Sequence, residues 1–421
     1  MWKKAMVCLS FLGMLLLCGC ESAELEQRSF PLAVGIDLQQ ADAEKPEEIE
    51  VSGKAGFEES EGSKKTGESK DSENSKKIRE SKNSEGSKNA EESKKSNDFQ
   101  EEEKNLVVSF DFPDLAQISE KGKTVDTPMG LSLEGMDMYH VEKSYENNTN
   151  RILDYNHMKA IVLGENLFGD QRKLRNLLQA WEQREASARN TSLFIGSSSA
   201  AEILSLTEET EGSMGKYLED MLESQKDFRH NKIATIGDLM NQWHNQNELL
   251  LIPVLTDQGD RPAITGYAAI LNFDYRGIFP VKEAMEIFFC QNLLEKFICE
   301  PSTNEVVEIS DIQVAMSVEE QEDMPVVKVS IKGKGKMISG QSSSVVQQYQ
   351  LEKKIEKQLT ADLQETAEKA NKEYGIDITN SYISLGGLNR ELYSVYENLP
   401  DMYNQKVRQI FEVDIDLLNW E

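Results

Sequence analysis

The chain has 421 residues and a formal net charge of −28 at pH 7, with 46 Lys and Arg against 74 Asp and Glu. This length predicts two or three domains. Phosphate groups repel an acidic chain, which argues against nucleic-acid binding, and anionic lipid headgroups repel it as well. Beyond the N-terminus, no apolar run approaches the roughly 20 residues of a membrane-spanning helix, so a stable place at a membrane would need a covalent anchor.

The first twenty residues have the pattern of an export signal with a lipid-attachment site. Lys3 and Lys4 form a positive n-region, and the apolar run 5–17 is too short to span a membrane. The run ends in Leu17-Cys18-Gly19-Cys20, which resembles a bacterial lipobox. Residues 1–19 are therefore predicted to be removed, and Cys20 is predicted to carry two acyl chains that hold the exported protein at a membrane. The alternatives are a plain secretory signal cleaved nearby and an uncleaved short anchor.

A low-complexity block covers residues 58–104, where Ser-Lys recurs every six residues. The positions between these pairs carry no regular apolar residue, so the block cannot bury enough surface to offset its ordering entropy. It is predicted to be a disordered insertion, with a fraying exposed helix as the alternative. Residues 48–57 and 105–112 on either side alternate like strands. Because long insertions between paired strands cost little loop-closure entropy, the block is predicted to interrupt one domain.

An N-terminal α/β domain is predicted over residues 20–205. Apolar residues at helical or alternating spacing decide its elements. The predicted helices of this domain cover residues 128–150, 170–185 and 199–204, and its later strands cover 158–163 and 191–195. A helical connecting region is predicted over 206–260, with helices at 213–230 and 235–245 and a short apolar segment at 250–255.

A C-terminal α+β domain with a mainly antiparallel sheet is predicted over residues 261–421. Its predicted strands cover 263–273, 305–318, 326–338 and 408–418, and its predicted helices cover 281–298, 344–373 and 390–405. The sequence as a whole therefore predicts a multi-domain α+β (mixed α/β) fold, with mainly antiparallel sheets packed against helices.

Only Cys290 and Cys299 would remain as free thiols after export and lipidation, and both belong to an apolar stretch. On one helix, nine residues separate their Cα atoms by about 13 Å, whereas a disulfide needs less than about 7 Å. The pair is therefore predicted to be buried and reduced. A disulfide would require the helix to break between them.

No catalytic, cofactor-binding or metal-binding constellation is found. The four histidines lack metal-ligand spacing, and His157 is interpreted as a packing or capping residue. The run Ser197-Ser198-Ser199 stands between a strand and a helix, where serine is the usual N-cap, and the Gly-x-Ser-x-Gly motif is absent. Lys332-Gly333-Lys334-Gly335-Lys336 lies in a strand-like run and is interpreted as a solvated sheet edge rather than a phosphate loop. No small-molecule ligand is indicated.

Several stretches together resemble the Ger(x)C family of spore germination lipoproteins. Each is a weak motif, but their order and spacing fit the family across nearly the whole mature chain. The stretches are Cys20 to Arg28 followed by Leu32-Ala33-Val34-Gly35-Ile36-Asp37, Leu153 to Glu165, Trp181 to Leu204, Ile264 to Leu271, Gly375-Ile376-Asp377-Ile378 with Gly386, and Val407 to Leu417.

This resemblance implies a non-catalytic lipoprotein subunit of a nutrient germinant receptor. Such subunits lie on the outer face of the spore inner membrane beside two integral membrane subunits, and they share a mixed α/β fold of several sheets packed with helices. Two other functions stay open at this point. A solute-binding lipoprotein of a transporter would have two similar lobes around a cleft, and a cell-envelope hydrolase would need a nucleophile–base pair or a metal cluster.

Overall fold

The structure is a computed structural model of the chain. It describes residues 27–39, 104–113, 130–183, 189–206, 213–224, 234–245, 247–259, 261–340 and 344–418. All of these residues fall within one compact unit. The predicted lipid-attachment residue Cys20, the predicted strand 48–57 and all but the last residue of the predicted insertion 58–104 lie outside the described residues.

The first part of the chain builds most of an eight-stranded sheet and the helices beside it. Its strands are β1 (Arg28–Ser29), β2 (Ala33–Leu38), β3 (Leu106–Asp111), β4 (Gly130–Gly135), β5 (Ile152–Leu153), β6 (Ala160–Gly164) and β7 (Ser192–Gly196). Its helices are α1 (Met138–Thr149), α2 (Gln171–Glu182), α3 (Ala200–Ser205), α4 (Met214–Glu223) and α5 (Ile236–Asn241).

The second part completes this sheet and adds another of four strands. Its strands are β8 (Leu250–Asp257), β9 (Pro262–Leu271), β10 (Asp274–Pro280), β11 (Phe297–Ser302), β12 (Glu305–Gln321), β13 (Met324–Ser339) and β14 (Arg408–Leu417). Its helices are α6 (Val281–Cys290), α7 (Val345–Lys369), α8 (Ser381–Leu388), α9 (Arg390–Tyr396) and α10 (Pro400–Lys406).

The large sheet has the order β10-β9-β8-β7-β6-β2-β3-β4. Its middle strands β2, β6, β7 and β8 run parallel, and antiparallel pairs extend it at both ends. Helices α1, α2 and α5 pack on one face, and α3 and α4 pack on the other. Because both faces are covered, every residue of β2 and β6 is buried, which explains why their sequences are apolar at every position except Asp37.

The small sheet has the order β11-β12-β13-β14, in which only the last pair is parallel. Leu351, Ile355, Leu359 and Leu363 of α7 share one buried stripe that packs against this sheet. The opposite face carries exposed lysines at alternate positions of β13. Together the two sheets and their helices confirm the predicted mixed α+β class.

The Lys332–Lys336 run is not a sheet edge, because β13 lies between β12 and β14. Its glycines are explained by close packing: a Cβ at Gly333 would lie 2.6 Å from Ile309, and a Cβ at Gly335 would lie 2.4 Å from Leu417. Two lysines of this run contact neighbouring carboxylates: Lys334 lies 2.8 Å from Asp311, and Lys332 lies 3.6 Å from Asp414.

Four predicted elements are corrected by the structure. Residues 128–150 are not one helix, since Gly130–Gly135 forms edge strand β4 before α1. The predicted helix 281–298 ends at Cys290, and Phe297–Ser302 is a strand. The paired glycines of Leu385-Gly386-Gly387-Leu388 predict a turn before a helix, but this segment closes helix α8. Residues 390–405 form two short helices, α9 and α10, rather than one.

The predicted domain boundaries stay predictions. Strand β8, which lies in the predicted connecting region, pairs with β9 from the predicted C-terminal domain, and both belong to the large sheet. The chain on either side of residues 40–103 also belongs to one sheet. β2 and β3 are antiparallel neighbours, and the Gln39 amide donates to the Asn105 carbonyl over 2.9 Å. The described residues on the two sides of this segment therefore pair within one sheet.

Candidate functional site

Strands β1 and β5 form a short two-stranded sheet. Strand β1 is the first strand of the fold after the predicted lipid-attachment residue Cys20. Strand β1 runs parallel to β5, and the Asp154 amide donates to the Ser29 carbonyl over 2.8 Å. The Arg28 guanidinium contacts the Asp154 carboxylate at 2.6 Å. This pairing fixes the place where a tether from Cys20 would attach.

The Asp154 carboxylate at this place is held in its ionised form. Burial raises its pKa, but the Asn156 amide and the Arg28 guanidinium outweigh burial and bring the pKa below its ordinary value. The neighbouring His157 ring packs edge-on against Phe30, with their centroids 5.4 Å apart. This contact agrees with the predicted packing role of His157.

A buried aspartate at the end of β2 joins three of the segments that carry the family resemblance. Asp37 is 5% exposed, and it accepts hydrogen bonds from the Ala200 amide at 2.9 Å and the Ala201 amide at 3.1 Å. A Cβ at Gly164 would lie 2.0 Å from the Asp37 Oδ1 atom. Likewise, a Cβ at Gly35 would lie 3.0 Å from Ala200. The glycines therefore let β2, β6 and α3 approach closely around one carboxylate.

The hydrogen bonds and the pKa of Asp37 indicate that its carboxylate caps the N-terminus of helix α3. Burial raises its pKa, and the two backbone hydrogen bonds from the first turn of α3 lower it again in part. Ser199 completes the cap, since its hydroxyl accepts from the Glu202 amide at 3.0 Å. The predicted N-cap in the run Ser197-Ser198-Ser199 is confirmed, and Ser199 is the residue that forms it.

Asp111, at the far end of neighbouring strand β3, repeats this arrangement at the start of α4. It is 3% exposed and accepts a hydrogen bond from the Gly215 amide at 2.8 Å. Burial raises the pKa of this carboxyl as well. A Cβ at Gly215 would lie 2.4 Å from the Leu32 carbonyl oxygen, so only glycine fits. Two adjacent strands thus each hold one helix by a buried carboxylate.

Asp37 should make the stability of the protein depend on pH in a predictable direction. Because its folded-state pKa lies above the ordinary 3.8, its contribution to stability is complete below pH 3.8 and is lost as the pH rises through the folded-state pKa. Asp37→Asn removes this titration. The difference in unfolding free energy, wild type minus variant, should therefore fall as the pH is raised above 3.8 in a series of urea titrations. A difference that is constant or grows with pH would contradict the assignment.

A second polar cluster joins the start of β8 to the C-terminal helices. The side-chain amides of Asn247 and Asn404, both buried, donate to each other's oxygens over 2.9 Å. The Leu249 amide donates to the Asn380 side chain over 2.7 Å. Asp377, in the second Gly-Ile-Asp of the sequence, accepts a hydrogen bond from the Ser381 amide at 2.8 Å. Buried polar groups paired in this way fix the relation between the elements that carry them.

The two remaining thiols are free and buried, as predicted. The reason differs from the prediction, because Cys290 ends α6 and Cys299 lies in β11. Burial raises the pKa of Cys290 well above its ordinary value and that of Cys299 to about 12. Neither thiol is therefore an activated nucleophile.

Within the described ranges, no group of three or more His, Cys, Asp or Glu side chains is arranged to hold a metal ion. Among the helices of the same residues, none combines the length and the apolarity that a membrane crossing requires. Sequence reasoning missed the capping roles of Asp37, Asp111 and Asp377. The repeated Gly-Ile-Asp at 35–37 and 375–377 is the one signal that could have singled out two of them.

Comparison with known proteins identifies related domains in both parts of the fold. Residues 98–257 match the family model described as the spore germination protein N-terminal domain. Residues 279–406 match the model described as spore germination B3/GerAC like, C-terminal. No curated protein matches this chain.

A solved structure shares the fold. The crystal structure of the GerBC protein aligns with a TM-score of 0.53 and 15% sequence identity, covering 75% of this chain and 94% of that chain. The two domain matches follow each other along the chain in the order that the resemblance predicts. The chain therefore belongs to the Ger(x)C family of spore germination proteins.

Proposed function

We propose that this protein is the membrane-anchored, non-catalytic lipoprotein subunit of a spore nutrient germinant receptor, needed for receptor assembly and germination signalling. The observation that carries the proposal is the succession of the two GerAC-type domains over residues 98–257 and 279–406. Its partners are the integral membrane subunits of the receptor, and its place is the outer face of the spore inner membrane.

The short segment between Cys20 and the fold supports anchoring close to the bilayer. Seven peptide steps separate Cys20 from Gln27, the first described residue. Even fully extended, they reach about 24 Å. A lipid on Cys20 would therefore confine the folded part to a thin layer at the membrane, where weak contacts with membrane subunits gain from high effective concentration.

A non-catalytic role is supported by the structural roles of the side chains that could otherwise take part in catalysis. Asp37 and Asp111 hold helix termini, and Ser199 is an N-cap. Both thiols are buried with raised pKa values. A subunit of this kind acts by binding a membrane partner differently in its resting and active conformations, which shifts the partner's equilibrium.

Germination of spores that lack this chain tests the proposal. Release of dipicolinic acid in response to one class of nutrient should fall sharply, whereas the response to a non-nutrient trigger should persist. Complementation with the intact chain should restore the nutrient response. In addition, deleting the neighbouring membrane subunits should lower the level of this protein. Unchanged germination with every nutrient, together with an unchanged level in the subunit deletions, would reject the receptor role and favour a solute-binding lipoprotein.

A further inference from the structure

The two-stranded sheet of β1 and β5 has one outward side, close in the chain to Cys20. Arg28 and Ile152 are opposite each other in its parallel register, and so are Ser29 and Leu153. Because side chains alternate along a strand, the buried Ser29 and Leu153 face the core, whereas Arg28 and Ile152 face outward. We call the side that carries Arg28 and Ile152 the tether face. We propose that the tether face lies against the lipid bilayer, a proposal that rests on the anchoring through Cys20 proposed above.

The length of the tether limits which surface of the protein can reach the bilayer. Seven peptide steps lead from Cys20 to Gln27, and Gln27 directly precedes β1. These steps reach about 24 Å at full extension, whereas a folded unit of roughly 300 residues is on the order of 50 Å across. A surface on the far side of the fold therefore cannot reach a bilayer that holds Cys20. The tether face, where the tether ends, can.

The side chains in and beside the tether face are typical of the boundary between water and lipid. Ile152 is apolar yet 48% exposed. Phe30, which follows β1, packs its half-buried ring edge-on against the exposed ring of His157. Arg28 in this face and Arg151 beside it carry positive charge. Apolar side chains can enter the headgroup region, while arginines keep their charged ends at its level.

Few carboxylates surround the tether face, although 74 of the 421 residues are Asp or Glu. Residues 27–32 and 147–157 contain a single one, Asp154, which contacts Arg28 at 2.6 Å. On the adjacent helix α1, the Glu142 carboxylate accepts a hydrogen bond from a tyrosine hydroxyl over 2.8 Å. Because anionic headgroups repel unpaired carboxylates, this part of an acidic chain can approach a bilayer that other parts would be driven from.

The experiment attaches the chain 20–421 through Cys20 to a maleimide-bearing lipid in vesicles of phosphatidylcholine and phosphatidylglycerol. Cys290 and Cys299 are buried with raised thiol pKa values, so only Cys20 should react. Ile152→Trp then reports the contact, because brominated acyl chains quench tryptophan at short range. A ring inserted about 5–10 Å reaches the upper acyl chains. Brominated lipids should therefore reduce the fluorescence of Ile152→Trp by more than that of the tethered wild type.

Ile338→Trp is the matched control, since Ile338 is 57% exposed on β13 in the small sheet. Brominated lipids should affect it no more than the wild type. The wild type gives a second readout without any substitution: backbone amides of residues 150–157 should exchange hydrogen more slowly in the tethered chain than in the free chain. Absence of quenching at Ile152→Trp, or equal quenching in both variants, would overturn the proposal. Absence of quenching would leave a membrane subunit as the partner of this face.

The result is independent of the receptor role, because chemical coupling replaces the natural lipid. If Ile152→Trp is not quenched while spores without this chain lose their nutrient response, the tether face is rejected and the receptor role stands. If Ile152→Trp is quenched while those spores respond normally to every nutrient, the tether face stands and the receptor role is rejected.

Discussion

Replacing Gly164 with alanine should destabilise the protein by about 2–4 kcal/mol. The added Cβ would lie 2.0 Å from the Asp37 Oδ1 atom and 2.9 Å from the Asn166 Oδ1 atom. Asp37 would have to move, and its movement would release the amides of Ala200 and Ala201 at the start of α3. Urea unfolding followed by circular dichroism measures the loss directly.

Gly169→Ala is the matched control for this prediction. Gly169 lies five residues further along the chain, at the end of a short 3₁₀ turn, and a Cβ there would meet nothing within 4 Å. The change from glycine to alanine should therefore leave stability unchanged or raise it by about 0.5 kcal/mol. If Gly164→Ala also stays within about 0.5 kcal/mol of wild type, the close approach of β6 to Asp37 does not contribute to stability in the way we describe.

The regular parts of the fold were predictable because burial and periodicity agree in them. Helix α2 shows this best, since Leu174, Leu177, Leu178 and Trp181 recur at helical spacing in the sequence and all four are buried. The strands β6, β7 and β13 also follow their predictions closely. In each case the spacing of the apolar residues fits only one type of secondary structure, either a helix or a strand.

The errors in prediction arise where two patterns overlap. Leu131 and Leu133 alternate with polar residues, yet they precede α1 so closely that the segment resembles one continuous helix. The apolar stretch from Val281 stays apolar beyond Cys290, so periodicity alone does not mark the end of α6. Asn292, just after this helix, has a left-handed conformation with φ of 57°, so the right-handed helix cannot continue through it. Asparagine tolerates this conformation better than most residues.

The candidate site was less predictable than the fold, for a physical reason. The motif segments at 35–37, at Gly164 and at Ala200 were each recognisable in the sequence, but their meeting around one carboxylate depends on the parallel order β7-β6-β2. The positions of these residues relative to one another therefore depend on tertiary contacts between distant segments, which local sequence patterns do not predict.

Replacing Cys20 with alanine should have the largest effect on function, although it should leave the folded part intact. Without a thiol no diacylglyceryl group can be attached, and each buried CH₂ of an acyl chain contributes about 0.8 kcal/mol to membrane binding. The variant should therefore move from the membrane fraction to the soluble fraction, as measured by immunoblotting of fractionated spores. Nutrient-triggered release of dipicolinic acid should fall to the level of the deletion strain.

Cys18→Ala is the control that separates lipid attachment from a general effect on export. Position 18 requires only a small residue in the proposed lipobox, so alanine should preserve both membrane association and germination. If Cys20→Ala stays with the membrane, the lipid anchor is excluded, and an uncleaved signal segment becomes the explanation of membrane association. If Cys20→Ala is released yet germination persists, anchoring is dispensable, because contacts with the membrane subunits are then strong enough to hold the protein without the gain in effective concentration that a tether provides.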